Sequence, residues 1–422
     1  MTRFLMVTHG SAGDVLPIVR IGRELAGRGH EVTLTSHAPY AARARAAGLE
    51  FVPLDTTESY ARHQVESRRL IDARTSADLR LFYERTGLFD QMRAECTAMI
   101  ERHRPGETVL VGRHTSGAST LLAGEMLGAP TAWVALAPIQ IMASPAAVAH
   151  LQRALGDGVN EVRAGFGLAP VTDWAAWFAS PRSVLGLWPQ WYDAAGPPSP
   201  PETSLTGFVG GDEVGGDEQE AGDVDVPAGE LLVTGGTGQL LHPRFYEAAL
   251  DAVASTGRTA LVVAPERDLL PAVLPPGVRW FASLPFPRVV PRVAAVVHHG
   301  GIGTAVRAVR DGVPQVILAH GADRPDNAQR LASAGLARWL PAARWSAAAI
   351  AGEIGAAVAD GGYASRAAAF SMLDDAGPAT AADALVSLTA SRPDTGAPLR
   401  ERLRQMDPAQ LAALTRQLSE RP

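Results

Sequence analysis

Residues 294–309 read AAVVHHGGIGTAVRAV, and this stretch is the most informative in the chain. Residues 294–297 form a short apolar run that predicts a buried strand. It leads directly into a glycine-rich turn, and Val306 and Val309 follow at helical spacing. The first N–H groups of such a helix are unpaired, and with the positive end of the helix dipole they favour an anion. The pattern predicts a phosphate site with His299 and Thr304 as further donors; a tight turn with a core histidine is the alternative.

The same strand–turn–helix order recurs along the chain. A second glycine turn, GGTG at residues 235–238, follows an apolar run and is read either as a simple turn or as another phosphate or sugar contact. Alternating strands and helices predict parallel, doubly wound sheets. The expected fold class is α/β, with two Rossmann-like domains facing each other across a cleft. The strands are expected at residues 4–7, 31–36, 109–112, 131–135, 231–234, 259–264, 294–297 and 314–318.

A break in composition separates the two halves. Residues 194–204 contain four prolines, and residues 212–225 contain seven acidic residues and no basic one. Such a run cannot bury apolar surface and predicts a solvated linker. The domain boundaries predicted from this break are an N-terminal domain at 1–205, a linker at 206–229 and a C-terminal domain that begins at 230 and extends to 391. Apolar residues at helical spacing beyond it predict an amphipathic helical tail at 392–422.

Composition excludes several classes of protein. The chain has 422 residues, 46% of them apolar and 19% charged, which is typical of globular domains. Its net charge of −6 argues against nucleic acid or an anionic membrane as the main partner. All 38 basic residues are arginine, so no mechanism that requires lysine is available. The single Cys96 excludes a disulfide within the chain and cysteine-based zinc clusters.

The sequence also predicts where the protein is located in the cell. The apolar start at residues 4–7 is shorter than the core of a signal peptide, so no export signal is expected. The uncharged stretch at 126–149 is long enough for a membrane span but is interrupted by Pro130, Pro138 and Pro145. We therefore expect a cytoplasmic protein without stable membrane insertion.

The N-terminal glycine turn carries an acidic residue. Asp14 follows Gly10 and Gly13, and Pro17 is expected in the first turn of the helix. The carboxylate can cap that helix, or it can face the cleft as a general base. The turn lacks the spacing of a dinucleotide fingerprint. His9 is the next candidate for a base.

Further polar and aromatic residues are candidates for the same cleft. The run from Asp323 to Asn327 follows a predicted strand and is either a helix-capping loop or part of the site. It has no metal-ligand spacing. Six aromatic residues lie within nineteen positions before the linker, mostly for core packing, although some can line an apolar pocket. They are Trp174, Trp177, Phe178, Trp188, Trp191 and Tyr192.

These motifs together resemble the inverting GT-B glycosyltransferases of family 1, especially the bacterial enzymes that glycosylate natural products such as macrolides, glycopeptides and polyketides. The resemblance rests on GSAGDVLP at 10–17, on VHHGGIGT at 297–304, and on GVPQ at 312–315 followed by DRPDNA at 323–328. It covers residues 1 to about 390.

The resemblance implies a reaction and its residues. A sugar moves from a nucleotide-diphospho-sugar, dTDP- or UDP-linked, to a hydroxyl of a small, largely apolar acceptor, with inversion. Asp14 occupies the position of the catalytic base, and neither a metal ion nor another cofactor is expected. Ser11, Trp133 and Ile139 are expected in the acceptor pocket. The expected donor-binding residues are Gly236, Thr237, Ser283, Leu284, His299, Gly301, Gly303, Thr304, Asp323 and Arg324.

The chain departs from the family pattern at three positions. Ser283 stands where plant relatives stack a tryptophan on uracil, Arg307 where many relatives bind ribose hydroxyls with glutamate, and Arg324 where a glutamine usually follows the sugar-binding aspartate. A nucleotide without the 2′-hydroxyl does not need that glutamate, which favours dTDP. Arg324 is compatible with an unusual deoxysugar or with reduced activity.

Two other functions remain open. A catalytically silent helper protein for a partner biosynthetic enzyme would keep the fold, and Arg324 and the tail agree with it. A nucleotide-sugar epimerase would leave Asp14 and the aromatic cluster unexplained. The tail at 393–422 resembles short docking elements and can recruit a protein partner or a carrier-bound acceptor; a solvated helical extension is the alternative.

Overall fold

The protein contains two parallel β-sheets, each covered by helices. The computed structural model describes residues 1–73, 75–113, 117–141, 144–210, 225–371 and 376–390. Most of the predicted linker and all of the predicted tail lie outside the described residues. Within them, the predicted alternation of strands and helices is confirmed.

The strands and helices have the following bounds in chain order. The first sheet is formed by β1 (Arg3–Val7), β2 (Glu31–Ser36), β3 (Glu50–Pro53), β4 (Thr108–Arg113), β5 (Thr131–Ala135), β6 (Ser183–Gly186) and β7 (Thr203–Leu205). The second sheet is formed by β8 (Leu231–Thr234), β9 (Ala260–Val263), β10 (Val278–Phe281), β11 (Ala295–His298), β12 (Gln315–Ala319) and β13 (Arg338–Pro341). The helices are α1 (Ala12–Gly27), α2 (Ala41–Ala46), α3 (Thr57–Ser67), α4 (Ser76–Arg85), α5 (Leu88–Arg102), α6 (Ser119–Leu127), α7 (Pro145–Gly165), α8 (Trp174–Phe178), α9 (Gln190–Ala194), α10 (Phe245–Thr256), α11 (Phe286–Val289), α12 (Ile302–Arg310), α13 (Arg324–Ser333), α14 (Ala347–Val358), α15 (Tyr363–Ser371) and α16 (Gly377–Ala390).

The strand order places the loops that matter for function. The order is β3-β2-β1-β4-β5-β6-β7 in the first sheet and β10-β9-β8-β11-β12-β13 in the second, and the strands pair in parallel. In each sheet the order reverses beside the first strand, at β1 and at β8. The loops after β1 and its neighbour β4 lead to opposite faces of the first sheet, and those after β8 and β11 do so in the second. This leaves a crevice at the carboxyl edge of each sheet. The turns at Gly10 and Gly235 lie in these crevices.

The central strands are apolar because helices cover both faces of each sheet. In β8 and β11 every residue is buried, which a parallel sheet requires. The sequence did not predict β3, β6, β7, β10 and β13. These are short strands, three or four residues each, and few of their residues are buried, so they form no clear apolar pattern.

Two local features differ from the sequence-based expectation. Pro17 lies inside α1 and not in its first turn, because the helix already begins at Ala12. In addition, α16 falls within the predicted C-terminal domain but packs on α1 of the first half, where Ala381 and Leu385 join the same core cluster. Arg28 bonds to Asp383 across this contact, at 2.5 Å. The predicted domain boundaries stay predictions.

Among the helices that the structure describes, none combines the length and apolar character needed to cross a bilayer. The uncharged stretch at 126–149 contains the buried strand β5 and the first residues of α7. Proline begins α7 at Pro145, where its missing N–H costs nothing.

Candidate functional site

A large cleft opens where the carboxyl edges of the two sheets face each other. Its volume is about 900 Å³, and both halves of the chain line it. The first half contributes the turn after β1 and side chains from α3, α4 and α5. The second half contributes the loops that follow β8, β10, β11 and β12. The two turns at the reversal points therefore meet in one cavity, as expected for ligand sites in such folds.

Most of the residues predicted for the site line this cleft. They are Ser11, Asp14, Gly236, Thr237, Ser283, Leu284, His299, Gly301, Gly303, Thr304, Asp323 and Arg324. The structure thus brings together three glycine turns that are far apart in sequence, because all three follow strands of parallel sheets.

Trp133 and Ile139 require a correction, since neither is a lining residue. Trp133 is fully buried in β5, packs against Phe178 and donates its indole N–H to the Thr120 hydroxyl. Ile139 is half exposed on the outer side of its turn, whereas the next residue, Gln140, lines the cleft. In both cases the side chain points to the other side of its backbone segment, which sequence position alone does not reveal.

The imidazole of His299 is enclosed by two glycine turns. A Cβ atom at Gly236 would lie 2.6 Å from its Cε1, and a Cβ at Gly301 would lie 2.6 Å from its Nε2. Gly236 also has a φ of +78°, a backbone conformation that favours glycine. Glycine is therefore required at both turns for the histidine ring to fit between them.

His299 is a neutral hydrogen-bonding group. Burial, together with the nearby positive charge of Arg324, lowers the pKa of His299 well below its ordinary value. Its Nδ1 is enclosed and has no hydrogen-bond partner among the described residues. Such an orphaned nitrogen is costly unless a ligand or a ring rotation supplies a partner.

His298 has a structural role in the same loop. Its ring bonds to Gln315 Oε1 at 2.8 Å and accepts a hydrogen bond from the Gly300 N–H at 3.2 Å. Burial lowers the pKa of His298 to about 4, so it too is neutral. This histidine fixes the backbone of the turn and does not line the cleft.

The groups around the start of α12 favour an anion. The helix begins at Ile302, directly after the turn, and Gly301, Gly303 and Thr304 line the cleft there. Arg324 is buried beside this turn and donates to the backbone oxygens of His320 and Leu240. A cation and a helix N-terminus thus face the same part of the cleft, an arrangement suited to a diphosphate.

Asp14 is both a helix cap and a cleft residue. Its Oδ2 accepts hydrogen bonds from the Ser11 N–H at 2.8 Å and the Ser11 hydroxyl at 3.0 Å. Its Oδ1 lies 3.3 Å from Nη1 of Arg113, and the side chain is 28% exposed. A carboxylate offers about four lone-pair positions. Oδ1 therefore keeps room to accept a proton while Oδ2 caps α1.

A second titratable pair lies near this acid. His9 lines the cleft, and its Nε2 lies 3.8 Å from Oε1 of Glu95. Glu95 is completely buried on α5 and accepts a 2.5 Å hydrogen bond from the Ser119 hydroxyl. Burial raises the pKa of Glu95 to about 8. The folded chain therefore keeps this carboxyl protonated at neutral pH.

Protonated Glu95 predicts a pH-dependent stability. Between pH 5 and pH 8 the unfolded chain has lost the proton that the folded chain retains, because the folded pKa is about 8. Stability then falls as pH rises through this range. Glu95→Gln carries no such proton, so we expect its melting temperature, relative to wild type, to rise by roughly 5 °C from pH 5 to pH 8.

Thermal melts at several pH values check this prediction. Glu101→Gln, on the exposed face of the same helix, is the matched control and should leave the pH profile unchanged. Parallel pH profiles for Glu95→Gln and wild type would contradict a protonated Glu95.

The end of the cleft in the first half is mainly apolar. Its lining includes Phe82 and Tyr83 of α4, together with polar His150, whose Nδ1 bonds to the Ser76 hydroxyl at 3.0 Å. The sequence did not predict this end, since apolar residues at helical spacing look alike whether they face a core or a cleft. Further apolar side chains here are Leu70, Ile71, Leu79, Leu88, Leu136 and Leu151.

The structure also locates the aromatic cluster and Arg307, two further predictions from the sequence. None of the six clustered aromatic residues lines the cleft, and Trp174, Trp177, Trp188 and Tyr192 are buried in the core. Arg307 does not line the cleft either, and its Nη2 bonds to Asp311 at 2.9 Å one helical turn away.

Family models match both halves of the chain. Residues 4–97 match the glycosyltransferase family 28 N-terminal domain, and residues 247–388 match the C-terminal domain of erythromycin biosynthesis protein CIII-like proteins. The first match contains β1 and its turn. The second contains the turns after β11 and β12.

Curated relatives and solved structures agree with these matches. O-mycaminosyltylonolide 6-deoxyallosyltransferase of Streptomyces fradiae is 38% identical over 140 residues, which is 32% of this chain and 32% of that relative. The chain thus aligns with about a third of its length. The crystal structure of the kitacinnamycin glycosyltransferase superposes with a TM-score of 0.69 at 20% identity, over 92% of this chain and 99% of that one. The glycosyltransferase VinC in complex with dTDP gives a TM-score of 0.66 at 20% identity, over 93% and 100%. The likeness shows that the chain has the GT-B fold.

Proposed function

We infer that this chain is a GT-B glycosyltransferase of natural-product biosynthesis, because the family models, the curated relatives and the structural neighbours all indicate that class. The observation that carries the inference is the single cleft in which Asp14 of one half faces the glycine turns of the other. We propose the reaction in more detail from the groups that line it.

The second half binds the nucleotide-diphospho-sugar. The diphosphate lies against His299, Gly303 and Thr304, where the N-terminus of α12 offers unpaired N–H groups. These groups and the N–H of His299 stabilise the charge that develops on the departing phosphate, without a metal ion. Asp323 lines the same part of the cleft and accepts hydrogen bonds from the sugar hydroxyls.

The first half binds the acceptor. The apolar side chains of α4, α5 and α7 suit a small, largely apolar molecule, and a few polar groups such as His150 and Gln91 orient it. The acceptor hydroxyl reaches Asp14, which removes its proton as the oxygen attacks the anomeric carbon. The C–O bond to the phosphate breaks on the opposite face, so one displacement inverts the configuration.

The nucleotide is proposed to be dTDP. Arg307 occupies the position of the ribose-binding glutamate in many similar enzymes and is held by Asp311, away from the cleft. A deoxyribose needs no partner there. VinC, a structural neighbour, was crystallised with dTDP.

The test is a donor and acceptor panel. The purified chain is first titrated with dTDP and UDP by calorimetry. It is then incubated with dTDP- and UDP-sugars, with and without macrolide, polyketide and peptide aglycones. We expect dTDP to bind more tightly than UDP, and nucleotide release to depend on one of the aglycones.

The outcomes separate the proposed functions. Isomerisation of the nucleotide-sugar in the absence of any acceptor would replace transfer by epimerisation. Binding of dTDP without turnover on any acceptor would favour a helper protein. Absence of binding to either nucleotide would contradict the donor site itself.

A further inference from the structure

Asn327 is a buried residue at the centre of a polar network below the cleft. It lies one turn after Asp323 on α13 and has no exposed surface. Its Nδ2 donates to the backbone oxygen of Gly300 at 3.0 Å and to Oδ2 of Asp323 at 3.3 Å. A primary amide has two N–H donors. Both are therefore used on two different groups of the donor side.

The remaining atom of this amide is held from the other half of the chain. Oδ1 of Asn327 accepts a hydrogen bond from the hydroxyl of Tyr192 at 2.8 Å. Tyr192 lies on α9, at the end of the first half, and is fully buried. It belongs to the aromatic cluster of the sequence, but its hydroxyl serves the donor side and not an acceptor pocket.

Tyr192 is itself firmly held. Arg330, one turn beyond Asn327 on the same helix, donates to the backbone oxygens of Tyr192 at 3.1 Å, Asp193 at 2.7 Å and Pro197 at 2.7 Å. Its Nε bonds to Asp326 at 2.8 Å. Residues 192–199, here called the crossing segment, are thus fixed to one face of α13.

The group at the other end of the network has little freedom. Gly300 has a φ of +98°, and a Cβ there would lie 2.9 Å from Ile317 and 3.2 Å from the Cβ of Arg324. The turn therefore requires glycine at this position, and Asn327 bonds to the Gly300 backbone oxygen. A shift of Asn327 would move Gly300 and Asp323 together.

We propose that Tyr192 and Asn327 are positioning residues for the donor sugar, because the Tyr192–Asn327 hydrogen bond fixes both Asp323 and the Gly300 turn. This rests on the proposed function, in which those two groups face the sugar and its diphosphate. Neither positioning residue touches the ligand. They determine donor affinity and leave acceptor binding unaffected.

Tyr192→Phe tests this, since it removes one hydroxyl and keeps the packed ring. We expect the KM of the nucleotide-sugar to rise roughly tenfold, the loss typical of one buried hydrogen bond. The acceptor KM should stay within about twofold, since the groups proposed to bind the acceptor lie on the other side of the cleft. Calorimetric titration with the same nucleotide-sugar should show the same loss of affinity.

Ser199→Ala is the matched control. It also removes one hydroxyl from the crossing segment, because Ser199 Oγ donates to Asp193 at 2.6 Å, but this bond does not reach Asn327. Donor KM should remain at the wild-type value in this variant. If Ser199→Ala raised the donor KM as much as Tyr192→Phe does, any disturbance of the crossing segment would have the same effect. That result would overturn the proposal.

A double-mutant cycle tests whether Tyr192 acts on the donor through Asp323. In an Asp323→Asn background, Tyr192→Phe should raise the donor Kd by clearly less than its roughly tenfold effect in the wild-type chain, because one of the two groups that it positions is already impaired. Full additivity would overturn the coupling. If Tyr192→Phe does not fold, Asn327→Ser, whose shorter side chain cannot span Gly300 and Asp323, replaces it with the same expected result.

The two proposals fail in different ways. If wild-type chain neither binds nor uses any nucleotide-sugar, the proposed function is wrong. If the wild-type chain transfers sugar and Tyr192→Phe leaves donor KM unchanged, or raises donor and acceptor KM equally, only the positioning role is wrong.

Discussion

Asp14→Asn is expected to lower kcat about a thousandfold, within the range found for a lost general base. The amide is nearly isosteric with the carboxylate but does not accept the proton of the acceptor hydroxyl. Asp14 lines the cleft and keeps Oδ1 next to Arg113 while Oδ2 caps α1. Calorimetric titration with dTDP should give the wild-type affinity, because the proposed diphosphate site lies on the other half.

The helix-capping role of Asp14 must be separated from catalysis. Asp78 offers the control, since it caps α4 in the same way: its Oδ2 accepts from the Thr75 N–H and hydroxyl, both at 2.9 Å. Asp78 is exposed and does not line the cleft. Both Asp→Asn variants should lose about 1 kcal/mol of stability.

Only Asp14→Asn should lose turnover. If it turns over like the wild type, another group is the base. His9, 3.8 Å from Glu95, is then the next variant to test.

His299→Leu is expected to lower kcat/KM for the donor about a hundredfold, the typical effect of losing one preorganised donor to a developing anion. His299 acts through its N–H and not through a charge, since its pKa lies well below the ordinary value. His299→Gln, which keeps an N–H donor, should therefore recover part of the activity. The affinity for dTDP measured by calorimetry should follow the same order.

His150→Leu is the control at the other end of the cleft. His150 also lines the cavity, but it bonds to Ser76 among the helices that are proposed to bind the acceptor. This variant should change the acceptor KM and leave dTDP affinity unchanged. Equal loss of dTDP affinity in both variants would contradict the assignment of His299 to the diphosphate.

The sequence predicted the central strands and the turns with good accuracy. β2, β5 and β8 have the predicted bounds, and β11 begins one residue later than predicted. β8 and β11 are short, fully buried runs that lead into glycine turns, so the local pattern is sufficient there. The residues of the glycine turns followed from the same pattern, because parallel strands bring their carboxyl ends to one edge. Ser283 and Leu284 were predicted from the family resemblance alone.

The lining of the proposed acceptor side could not be predicted in this way. Apolar residues of α4 such as Phe82 face the cleft, whereas Trp133 of β5 faces the core. Both are apolar residues in regular elements, and the sequence pattern contains no signal that separates them. The Glu95 carboxyl is similar, since its burial depends on the packing of α5 against α6.

By itself, the sequence determined two doubly wound sheets, their glycine turns and an acid at the first of them. Short-range rules control these features, because a turn after a strand and the helix that follows span only a few residues. Only the tertiary structure decided that Tyr192 reaches Asn327, 135 residues later, and that Asp14 meets Arg113. Such contacts depend on how helices from the two halves pack, and packing is the sum of many weak contacts that no local pattern specifies.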